Sequence, residues 1–155
     1  MRNIININEN WKFIQKNVGL PSAYPQDWDT VDLPHTWNAV DGNDGNGSYD
    51  RGNYWYAKTF ETPEQPLAGG RVFVEFEGVN SEATVYVNGT KVTYHEGGYS
   101  IFRADITDFC KEEGENLLLL YLLFSVCFFH LNDCRFLHWN TAIFVVTKFN
   151  NNIRL

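Results

Sequence analysis

Positive charge is in short supply in this sequence: 12 Lys and Arg stand against 19 Asp and Glu in 155 residues, a formal net charge of -7. Nucleic-acid binders gather Lys and Arg on one face, so this balance argues against a phosphate-backbone partner. Cysteine is scarce and odd in number, at Cys110, Cys127 and Cys134, which speaks against a complete disulfide framework and favours a reducing compartment. The opening stretch MRNIININENWKF lacks the apolar run of a signal peptide, so a cytoplasmic protein is expected. The uncharged run from Leu117 to Phe129 falls short of the roughly 20 residues a membrane helix needs, so no membrane partner is expected. No phosphate loop, nucleotide fingerprint or Ser/His/Asp constellation is visible, and no cofactor is expected.

Aromatic residues are plentiful, with 12 Phe, 8 Tyr and 5 Trp making 16% of the chain, a composition suited to sheets. A chain of this length buries one sizeable core, so one domain is the default. Residues 1 to 50 read as mostly loop, punctuated by Pro21, Pro25 and Pro34 and pinned by Trp11, Trp28 and Trp37. From there strand signals follow one another at short spacing: YWYAKTF (54–60), RVFVEFE (71–77), EATVYV (82–87) and TKVTY (90–94). Connections this short join antiparallel neighbours.

The Asn88-Gly89 turn sets a register in which Val87 opposes Thr90, Val85 opposes Val92 and Ala83 opposes Tyr94 on one face. Tyr86 with Lys91 and Thr84 with Thr93 then form a face suited to solvent. In the preceding strand Val72, Val74 and Phe76 point inward, with Arg71, Glu75 and Glu77 outward. Each strand thus has one wet face, as in a β-sandwich. ADITDFCKEEGEN (104–116) predicts one short helical turn, capped by Asp105 or Thr107 and closed at Gly114. The apolar run that follows predicts a buried strand or core segment.

WKF (11–13), VDLPHTWN (31–38), YDRGNYWYAKTFE (49–61), RVFVEFEGVNSEATVYVNG (71–89), HEGGYSIFRADIT (95–107) and GENLL (114–118) occur together in this order. In that order and spacing they resemble the N-terminal sugar-binding domain of glycoside hydrolase family 2, most closely its bacterial β-galactosidase branch. The resemblance implies an all-β fold, an antiparallel jelly-roll β-sandwich, packed in the intact enzyme against an immunoglobulin-like domain and a barrel. It also implies a carbohydrate partner, a terminal β-galactoside or related glycoside. The two catalytic glutamates of such enzymes lie on the barrel, which takes about 250 residues, so no catalytic residue is assigned here. Residues 1–118 are read as the family domain. From Leu119 the family pattern is lost, and 119–155 are read as a non-family tail from a frameshift or truncation.

Trp37, Asn38 and Asp41, in PHTWNAVDG, are candidates to lie near a sugar: an indole face stacks on a pyranose, and Asn and Asp bond its hydroxyls. Their structural alternative is a core anchor followed by turn formers. Glu96 and Tyr99, in HEGGYS, are further candidates, with Gly97 and Gly98 admitting close backbone approach; the alternative is a sheet corner, and that reading is favoured. Arg51 is read as a structural partner of Asp50 or Glu61. Cys127, His130, Cys134 and His138 are zinc-ligand types, but their spacing departs from paired knuckles, and no metal site is assigned. The acceptor patterns at Asn46 and Asn88 are read as coincidence. A stand-alone lectin-like module is the alternative function, since jelly rolls often bind glycans.

Overall fold

The computed structural model describes residues 3–37, 52–62, 70–124 and 148–151. Ten strands appear in order: β1 (Asn3–Asn6), β2 (Trp11–Gln15), β3 (Asp29–Val31), β4 (Gly52–Glu61), β5 (Phe73–Phe76), β6 (Glu82–Val87), β7 (Thr90–Glu96), β8 (Phe102–Asp105), β9 (Glu115–Phe124) and β10 (Lys148–Asn151). A 3-10 turn at Thr107–Phe109 separates β8 from β9. One sheet has the order β1-β10-β5-β8 and the other β3-β2-β4-β9-β6-β7. Every strand pair among the described residues is antiparallel.

Period-two alternation builds the core between these layers. Val72, Val74, Phe76 and Ala104 from the smaller sheet meet Trp11, Phe13, Tyr54, Tyr56, Ala83, Val85, Val87, Leu118, Leu120 and Leu122 from the larger. The fold is therefore the expected all-β antiparallel sandwich. The apolar run forms β9 as far as Phe124, paired with β4 on one side and β6 on the other; 125–129 lie outside the described residues. The strand passes through Leu118 and Leu119 without a break, and both are fully buried.

Five expectations need correction. The first fifty residues are not mostly loop, because β1, β2 and β3 lie there; WKFIQ alternates over five residues and buries Trp11 and Phe13. Strand β8 also went unforeseen, since FRAD offers too short a pattern to separate from the turn that follows. The hairpin begins in the predicted register, Val87 with Thr90 and Tyr86 with Lys91. A β-bulge then inserts Val92, so Val85 opposes Thr93 and Thr84 opposes Tyr94. Bulges add one residue to one strand and shift every later pair.

The outer faces are also less wet than alternation implies. Glu75 points away from the core, yet it is 4% exposed because Arg103, its cross-strand neighbour on β8, lies over it in an ion pair. On the larger sheet Trp28, Trp55, Ala57 and Leu119 form a second buried cluster, with Tyr86 and Tyr121 packed against it. Chain between β2 and β3 covers this face through Val18, Tyr24 and Trp28, so the sheet centre is buried on both sides.

The predicted turn is present as a single 3-10 turn, but its N-cap position is Ile106, which brings no side-chain cap, and it closes at Cys110 rather than at Gly114. Asp105 Oδ1 accepts from the Thr107 amide at 3.1 Å and from its hydroxyl at 2.7 Å. Ile106 is fully buried, and Gly114 takes a φ of +83° before β9.

Candidate functional site

The predicted sugar-proximal residues that are described gather at one end of the sandwich, where β4 begins and β9 ends. Trp37 is half-buried; its ring stacks on Tyr54 at 4.0 Å between centroids and meets Phe124 edge-on at 6.0 Å. This geometry makes Trp37 a plug at the mouth of the core. Asn38, Asp41 and Arg51 lie outside the described residues.

Glu96 closes β7 and opposes Glu82, which in turn pairs with Leu123 beside Phe124. Glu96 and Trp37 therefore share one end of the molecule. The Tyr94 hydroxyl lies 2.5 Å from Glu96 Oε1 and 3.1 Å from Glu82 Oε2. The hydrogen bond to Glu96 is the largest of several causes that raise the Tyr94 pKa and keep its phenol protonated.

The loop after β7 is a braced corner. Gly97 has a φ of +124° and donates its amide to Ser81 O at 2.8 Å. A Cβ on Gly98 would stand 3.0 Å from the Asn80 side chain. His95 stacks on Phe102 at 4.1 Å, Phe102 stacks on Phe76 at 4.8 Å, and Ser100 Oγ lies 3.2 Å from His95 Nε2. Tyr99 projects from this frame at 85% exposure.

At the opposite end is a polar centre that sequence reasoning did not single out. Asn116 is fully buried; its Oδ1 accepts from Asn88 Nδ2 and the Lys111 amide, each at 2.8 Å. Its Nδ2 donates to Thr62 Oγ1 at 2.8 Å and Phe60 O at 3.4 Å. Asn88 Nδ2 also donates to Phe109 O at 2.8 Å, while its Oδ1 accepts from the Leu117 amide at 3.0 Å. A glycan on Asn88 would break these bonds, so the acceptor pattern there is structural. The signal in the sequence was VNG together with GEN, two short motifs whose asparagines meet only in the folded chain.

Among the described residues no group of three or more His, Cys, Asp or Glu is placed to hold a metal ion. Cys127, His130, Cys134, His138 and Asn46 lie outside those residues. No described helix is long and apolar enough to cross a membrane.

A two-layer antiparallel sandwich of this kind is one that lectin domains share with others of different function. The chain belongs to the family described as "Glycosyl hydrolases family 2, sugar binding domain", which it matches over residues 4–145. A putative β-glucuronidase from Formosa agariphila is 41% identical over 118 residues, covering 74% of this chain and 14% of that protein. A β-galactosidase from Thermoanaerobacter pseudethanolicus is 37% identical, covering 76% of this chain and 16% of that protein. Among solved structures, an FMN-binding β-glucuronidase from Facaelibacterium prausnitzii L2-6 is 42% identical, with a TM-score of 0.79 over 97% of this chain and 22% of the other. The chain thus spans only a small part of each of these proteins.

Proposed function

We propose that this domain is the non-catalytic, amino-terminal part of a β-galactosidase-like glycoside hydrolase, bracing the catalytic barrel and supporting carbohydrate binding beside its active site. The observation that carries this reading is the family match across the sandwich, to proteins several times longer whose names are glucuronidases and galactosidases.

In this reading Trp37 and the braced corner carrying Tyr99 belong to the end that faces the sugar, and the substrate class is a terminal β-glycoside, first a β-galactoside. Purified chain incubated with chromogenic β-galactoside and β-glucuronide tests the non-catalytic assignment. No release of chromophore above buffer is expected; turnover that scales with protein concentration and survives repurification overturns it.

A further inference from the structure

We propose that the cleft at the end of the sandwich opposite Trp37 is a second carbohydrate site, shaped for one uncharged pyranose unit. The ligand class rests on the proposed function; the location rests on the cleft itself. It lies between the end of β4, the β6–β7 turn, the start of β9 and the chain around Tyr24, with a volume of about 410 Å³. Small-molecule sites fall in a range of about 300–1,000 Å³.

The floor is fixed before any ligand arrives. Buried Asn116 has both lobes of its amide engaged, and Asn88 ties the turn to β9. Such a saturated network holds its shape, because moving one member leaves the others unpaired in a dry environment. The walls carry what a sugar ring needs. Tyr24 lines one side, its ring held in place by packing against the Trp28 and Trp55 cluster. Burial, and then the charge of Glu115, raise its pKa, so its hydroxyl stays a donor. Ser22 and Thr59 add hydroxyls that donate and accept. Lys111 Nζ donates to Glu115 O at 2.9 Å, and an ammonium carries three donors, so others remain for a ligand.

Charge decides the ligand class. Among the described residues, Lys111 and Glu115 are the charged side chains of the lining, one of each sign. A phosphate or uronate site gathers cations, and a metal site gathers carboxylates. A lining that is balanced in charge and rich in hydroxyl and amide groups suits a neutral polyol instead.

Amide shifts of the full chain, followed by NMR during titration with methyl β-galactopyranoside, test the site. Saturable shifts at Tyr24, Gly89, Lys111 and Glu115 are expected. Lys111→Met, at an exposed position, should weaken binding about tenfold, as should Tyr24→Ala. Shifts confined to Trp37 and residues 96–99 overturn this site and leave the sugar-binding reading standing. No shift at either end overturns both. Equal affinity in both variants overturns the site, and tighter binding of glucuronate than of the galactoside overturns the assignment of an uncharged ligand.

Discussion

Asn116 shows how much one side chain can organise. It joins β9 to the end of β4, the β6–β7 turn and the chain after the 3-10 turn, all without exposed surface. Replacing it by Ala removes the acceptor of the Lys111 amide and of one Asn88 proton and the donor to Thr62, part-buried bonds of about 1 kcal/mol each. Asn116→Ala should therefore lower unfolding free energy by about 3 kcal/mol in urea titration. His35 sets a pH response. Its Nδ1 lies 2.8 Å from the Tyr56 hydroxyl, and burial lowers its pKa below the ordinary value of 6.5. The unfolded chain then takes up the proton first as pH falls. The stability His35 contributes is present above pH 6.5 and is lost as pH falls through its lowered folded value. A His35→Gln variant should flatten the stability–pH curve in that window. Buried residues such as Val72, Val74 and Phe76 were legible from alternation, because a core position needs only an apolar side chain in phase. Glu75 was not, since its burial depends on Arg103 from a strand far along the chain.

At the scale of elements, β4 and β9 form the spine of the larger sheet, paired along ten residues each. Sequence revealed β4 and the β6–β7 turn, where β-branched and aromatic residues stand between clear turn signals, and left β9 open between a buried strand and a core segment, because its Leu run carries no period of its own. It left β2 and β8 hidden, being short and set among loop residues, and it missed the bulge, because Lys91-Val92-Thr93 reads equally well with or without a slip. The covered outer face was also out of view: alternation identifies the two faces of a strand but not whether a distant loop lies over one. The corner after β7 carries its own test. Gly97 holds a φ of +124°, where its nearest neighbours leave room for a Cβ at 3.6 Å, so substitution strains the backbone rather than the packing. Gly97→Ala should cost about 1–2 kcal/mol, read as a lower melting temperature, with the shift perturbations confined to residues near Ser81 and His95.

At the scale of the molecule, two sheets enclose one aromatic and aliphatic core, and two chemically distinct ends remain for function. One end presents Glu96 and the projecting Tyr99 around a Trp37 plug; the other presents a cleft above the Asn88–Asn116 network. Sequence pointed to the first through an aromatic-amide motif and a Gly-Gly corner. It could not show the second, which exists only when residues 22–24, 59, 88–89 and 111–117 meet. The central claim is that this sandwich holds a sugar and leaves its glycosidic bond intact. One experiment reads both halves: the anomeric proton of methyl β-galactopyranoside observed by NMR in the presence of the purified chain over a day. The account predicts saturation transfer from protein to sugar with the anomeric signal unchanged in area. Loss of that signal with growth of free galactose, or an absence of transfer at every concentration, would contradict it.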